Sequence, residues 1–123
     1  MTSRVIALVL LFASPLLVGS VYAESCASLR EAHGQEYAAV DCGSAPSATF
    51  DAQGRLWLAF VQNKHVYVSF SDDKGASYST PVQVNKEAED SEFNGENRPK
   101  IIVAPKGEIL LSWTTKTSSN FTG

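Results

Sequence analysis

Ser71-Asp72-Asp73-Lys74-Gly75-Ala76-Ser77-Tyr78 carries the reading of the fold, and it follows an alternating run, Lys64-His65-Val66-Tyr67-Val68-Ser69-Phe70. Its pattern is SxDxGxSY. Short Ser and Asp side chains bond the backbone of their own turn, glycine accepts a positive φ, and an aromatic just beyond pins the turn against apolar neighbours. Those residue types at that spacing describe a rigid turn between two β-strands.

On either side of this turn the chain repeats itself. Ala45-Pro46-Ser47-Ala48-Thr49-Phe50-Asp51-Ala52-Gln53-Gly54-Arg55-Leu56-Trp57-Leu58-Ala59-Phe60 aligns with Arg98-Pro99-Lys100-Ile101-Ile102-Val103-Ala104-Pro105-Lys106-Gly107-Glu108-Ile109-Leu110-Leu111-Ser112-Trp113 at an offset of 53 residues. Pro46 meets Pro99, Gly54 meets Gly107, and Leu56, Leu58 and Phe60 fall on Ile109, Leu111 and Trp113. Alternation and turn punctuation divide the first copy into strands Ser47 to Phe50, Arg55 to Gln62, Lys64 to Phe70 and Pro81 to Asn85. The second copy yields Lys100 to Val103 and Glu108 to Thr115, with Lys116 to Gly123 read as a loop. A period near 50 built of short strands points to propeller blades rather than a helical solenoid.

The SxDxGxSY stretch resembles the Asp-box, the bacterial neuraminidase repeat of sialidase-like β-propellers, which usually has Trp where this chain has Tyr78. The resemblance implies an all-β chain, a β-propeller of four-stranded antiparallel blades, six in the complete ring. Residues 45–85 are then the first blade with its Asp-box, 86–98 an acidic inter-blade loop, and 99–123 the start of a truncated second blade. One Asp-box and a second copy that stops at two strands lead us to expect the N-terminal fragment of a longer protein. A small sandwich of six strands is the competing architecture.

Strand alternation separates the turns into two ends. The Asp-box turn lies at the end opposite the longer loops, so Ser71, Asp73, Gly75, Ser77 and Tyr78 are expected to hold the turn and not to act on a substrate. The loops at the other end are Gln62 to His65, Lys86 to Arg98 and Thr114 to Gly123. The second carries five carboxylates, Glu87, Glu89, Asp90, Glu92 and Glu96, which read as a solvated loop or as the lining of a substrate mouth. Sialidases grip the substrate carboxylate with arginines, because a planar guanidinium gives two parallel hydrogen bonds. The resemblance makes Arg98 the candidate substrate contact, although Asn97-Arg98-Pro99-Lys100-Ile101 lacks the preceding aromatic and has its proline moved beside the arginine.

The function implied is that of a sialidase-like glycoside hydrolase acting on terminal sialic acids. The alternative is a noncatalytic Asp-box propeller that binds glycans or proteins. No residue is assignable as catalytic: no Asp follows Asp90, and the Tyr nucleophile with its Glu partner is expected downstream of Gly123. No cofactor is implied. His33 and His65 have no ligand spacing, so no metal site is expected. Nucleophile elbow, phosphate loop and Cys/His/Asp triad patterns are also missing from the sequence.

Residues 1–23 read as a cleaved secretory signal, with Arg4 before an apolar stretch from Val5 to Val18 and Val21-Tyr22-Ala23 at the cleavage site. An uncleaved anchor is the competing reading, but the stretch is short of the ~20 residues of a spanning helix. The expected location is secreted or periplasmic, with no membrane span after signal cleavage. Without Arg4 the 10 Lys and Arg fall to 9, against 13 Asp and Glu. That balance of −4 and the scattering of the basic residues exclude nucleic acid as a partner. Residues 24–44 form a lead-in that holds both cysteines, and in an oxidising compartment Cys26 and Cys42 pair as a disulfide. Ala23-Glu24-Ser25 is a poor lead-in for lipid attachment at Cys26. Asn120-Phe121-Thr122 is a glycosylation sequon.

Overall fold

The computed structural model describes residues 24–90, 93 and 96–116. The signal at 1–23, Glu92 and the sequon lie outside them. The fold is built on two adjacent strands, β2 (Leu56–Gln62) and β3 (His65–Ser71), paired antiparallel from Leu56↔Ser71 to Gln62↔His65. Trp57, Phe60 and Val61 in β2 and Val66, Tyr67, Val68 and Phe70 in β3 are the β-branched and aromatic residues that suit a pleated, half-buried surface. Only Asn63 and Lys64 separate them, with φ of 51° and 65°. Positive φ at both central residues is the geometry of the tight hairpin whose twist matches that of its strands.

β1 (Ser44–Phe50) joins β2 on the other edge, and β4 (Val82–Gln83) joins β3, giving a four-stranded antiparallel meander in the order β1-β2-β3-β4. β1 begins three residues before the alternation predicted, because its register slips between Ser44 and Ser47 and Ala45 takes a φ of 48°. Such a bulge hides the strand from a period-2 reading. β4 is shorter than the predicted Pro81 to Asn85. Beyond it the ladder gives way to a bond from the Val84 amide to the Val66 carbonyl and to the side chain of Asn85. A second antiparallel pair, β5 (Lys100–Val103) and β6 (Ile109–Ser112), packs against β1 and β2.

Both turns that open these copies are made alike. The Gly54 amide donates to Asp51 O and the Asp51 amide to Arg55 O; in the second copy Gly107 donates to Ala104 O and Ala104 to Glu108 O. The partners correspond at the sequence offset of 53 residues.

The first sheet is covered on both faces. Leu58, Phe60 and Gln62 of β2, with Tyr67 of β3, look toward residues 37–43, where Ala38 and Val40 pack on the Leu58–Phe60–Tyr67 cluster. Gly43 approaches Phe60 so closely that a Cβ on it would lie 2.3 Å from the ring, which only glycine permits. Ala59, Val61 and Val66 face the other way and are buried. β5 lies on that side, where the Ser47 hydroxyl donates to Pro99 O. Each large side chain so covered contributes about 1.5–3 kcal/mol.

Residues 24–44 hold structure that periodicity did not reveal. α1 (Cys26–His33) is capped by the Ser25 hydroxyl, which accepts from the Ser28 amide, and it ends at Gly34 with φ 98°. A single 3₁₀ turn follows at Val40–Cys42. Cys26 and Cys42 are bonded to each other, their Cα atoms 4.9 Å apart. Eight residues, none of them fully buried, leave little for a sequence pattern to detect.

Candidate functional site

At one end of the sheet lies the β3–β4 connection, where Ser71, Asp73 and Ser77 bond one another within the turn. The Ser71 hydroxyl, buried at the end of β3, donates to Asp73 Oδ1 at 2.7 Å and accepts from the Gly75 amide at 2.8 Å. Asp73 Oδ1 accepts in turn from the Ser77 amide at 2.8 Å, and Oδ2 from the Ser77 hydroxyl at 2.5 Å. The Ser77 and Ser71 hydroxyls on its oxygens hold the Asp73 carboxyl down to a pKa of about 2. Lys74 at φ 61° and Gly75 at φ 92° carry the reversal. The Tyr78 hydroxyl lies over Gly75, next to Leu56, so the ring closes the turn and remains 38% exposed.

The same end holds a second polar cluster. Asp51 Oδ1 accepts from the Gln53 and Arg55 amides, and Oδ2 from Trp57 Nε1 at 3.0 Å. The Trp57 bond is the main cause that lowers its pKa. Arg55 reaches Asp72 at 2.6 Å and spreads over the Phe70 ring at 4.3 Å, tying the β1–β2 turn to the β3–β4 turn. A bond to Asp72 raises the Arg55 pKa. Between the two corresponding turns runs an open cleft of about 420 Å³, lined by Phe50, Asp51, Gln53, Val103, Pro105 and Lys106.

Arg98 lies at the opposite end, just ahead of β5, and is exposed. The acidic loop before it is anchored at defined points. Buried Asn85 accepts from the Val66 amide at 2.7 Å through Oδ1 and donates to Glu87 O at 2.8 Å through Nδ2. The Glu89 amide donates to Lys64 O, and the Glu89 carboxylate accepts from Trp113 Nε1. Asp90 pairs with Lys64 at 3.3 Å and accepts from the Lys116 amide through its carbonyl. Glu89 and Asp90 are thus engaged in holding the loop between the two sheets.

Sequence reasoning placed Gln62 and Glu89 in candidate loops and Asn85 at a strand end, and assigned none of them its hydrogen-bond partners. Gln62 is buried at the end of β2, where its Nε2 donates to Tyr37 O at 2.6 Å and its Oε1 accepts from the Ala39 amide at 3.2 Å. The signal was a lone amide at the end of an apolar strand, a placement that a polar residue holds only with partners. The partners lie 23 to 25 residues away in sequence and could not be read from it.

Among the described residues no group of His, Cys, Asp or Glu could hold a metal ion, and no helix is long and apolar enough to cross a membrane. The fold and its turn define an all-β class: in the described residues, an antiparallel four-stranded sheet with a two-stranded sheet packed on it and one short α-helix. No protein family, curated protein or solved structure matches the chain.

Proposed function

We propose that the chain is the N-terminal part of a secreted sialidase-like Asp-box propeller whose end bearing Arg98 and the acidic loop engages glycans ending in sialic acid. One observation carries this reading: the Ser71–Asp73–Gly75–Ser77 network closes an antiparallel four-stranded meander, and a second sheet packed on it repeats the first turn at an offset of 53 residues. Repeated four-stranded units are the building plan of a propeller. Arg98 then supplies the guanidinium for the substrate carboxylate, at the end away from the Asp73 turn.

A noncatalytic glycan binder is the second reading, and the loop favours it. Glu89 is bound to Trp113 and Asp90 to Lys64, so the two carboxylates nearest the hairpin are occupied in structure. Titration of the chain with α2,3-sialyllactose and with lactose, read by amide chemical shifts, tests the binding site. Shifts around Arg98 with the sialylated sugar alone, abolished by Arg98→Ala, support it; equal response to both sugars, or none, refutes it. Release of fluorophore from a sialoside by the complete gene product separates hydrolase from binder.

A further inference from the structure

The two sulfurs of the Cys26–Cys42 bond stand in opposite electrostatic surroundings. Cys26 is the first residue of α1, whose Ser25 cap takes the Ser28 amide on its hydroxyl and the Leu29 amide on its carbonyl. The Cys26 and Ala27 amides lead the helix and have no acceptor within it, so its positive end lies at Cys26. Arg30 follows one turn later, four residues on, where side chains share a helix face. Its Nε is buried and has no hydrogen-bond partner, and a donor left so is costly. Cys42 instead closes the Val40–Cys42 turn directly after Asp41, and its amide is spent on Ala39 O. Glu24, Glu31 and Asp41, the carboxylates nearest the pair in sequence, are exposed, whereas both cysteines are half-buried.

We propose that the Cys26–Cys42 bond is a thiol-exchange site of fixed polarity, which takes up a small thiol of the glutathione type on Cys42. The incoming thiolate attacks Cys42 Sγ and its electron pair forms the new S–S bond. The pair of the old bond leaves on Cys26 as a thiolate, received by the leading amides of α1 and by the idle Arg30 Nε–H. A thiolate at a helix N-terminus beside an arginine is the better stabilised one, and the better leaving group departs faster. Attack by Cys26 on Cys42 Sγ then expels the small thiol and restores the bond, so uptake is reversible. Cys42 keeps its place while the bond is open. Gly43 lies against the Phe60 ring, Gln62 holds Tyr37 O and the Ala39 amide, and Asn63 Nδ2 donates to Gln35 O. This inference stands whether or not the chain binds glycans.

Reaction of the folded chain with reduced glutathione, stopped with N-ethylmaleimide and resolved by peptide mass spectrometry, tests it. The expected product carries glutathione on Cys42 and maleimide on Cys26, in about threefold or greater excess over the reverse pairing. Arg30→Gln should bring the two products toward equal amounts and slow the uptake, while Arg98→Ala leaves both unchanged. The rate should be flat in urea below the unfolding transition. A rate that climbs with the unfolded fraction would assign the exchange to unfolded chain and overturn the proposal. No adduct, glutathione mainly on Cys26, equal products in the parent chain, or a split unmoved by Arg30→Gln would each overturn it as well.

Discussion

Asp73 shows how much of one turn rests on a single ionised side chain. Its carboxyl is held at about 2, below the ordinary value of 3.8, by the hydroxyls of Ser77 and Ser71. A depressed folded-state value stabilises the fold above the unfolded pKa and loses that contribution as the pH falls from about 4 to about 2. Asp73→Asn should therefore lower the Tm at pH 7, and the gap between the two proteins should close across that acid window. A gap unchanged at pH 2 would rule the carboxylate out. Gly75 makes a second test, since a Cβ there meets the Tyr78 hydroxyl at 3.1 Å with φ at 92°, whereas one on Gly54 at φ 82° meets nothing within 4 Å. Left-handed strain alone costs about 1–2 kcal/mol, so Gly75→Ala should cost at least as much as Gly54→Ala in urea denaturation. Both residues were legible in the sequence, because the whole network of this turn closes within seven residues.

At the scale of the element, the β2–β3 hairpin carries a correctable defect. Lys64 holds a φ of 65° that favours glycine, and its ion pair with Asp90 is largely exposed. An exposed pair is worth about 0–1 kcal/mol, and Asn-Gly is the preferred hairpin pair. Lys64→Gly is expected to stabilise the chain by about 0.5–1 kcal/mol after both effects, read as a raised Tm; a lowered Tm would show the Asp90 contact to dominate. Strand existence was readable from alternation, since side chains two apart share a face. The start of β1 was not, because the bulge at Ala45 breaks that alternation, and neither was the end of β4, where Asn85 replaces the ladder.

The whole molecule depends on how the sheets meet. Ile101 is buried between them and Ile102 faces outward, although they are adjacent in sequence and alike in chemistry. Removing a buried Ile side chain costs about 2–5 kcal/mol, whereas a surface change is worth about 0.5 kcal/mol or less. Ile101→Ala should destabilise the chain strongly and Ile102→Ala should leave it near the parent in equilibrium unfolding. Equal costs would mean that the second sheet does not pack as described.

The sequence by itself determined the local features: the Asp73 turn, the alternating strands, the repeat at 53 residues and a cysteine pair suited to a disulfide. These are legible because their causes lie within a few residues, or in a pattern that recurs. Only the tertiary structure decided which face of each sheet is covered, that residues 37–43 provide one of those covers, and that Gln62, Asn85 and Glu89 hold the connections in place. Two like alternations, in β1–β2 and β5–β6, end with different degrees of cover on their faces at no local cost. The choice is made by what lands on the sheet from elsewhere in the chain, and the SxDxGxSY stretch carries no information about that.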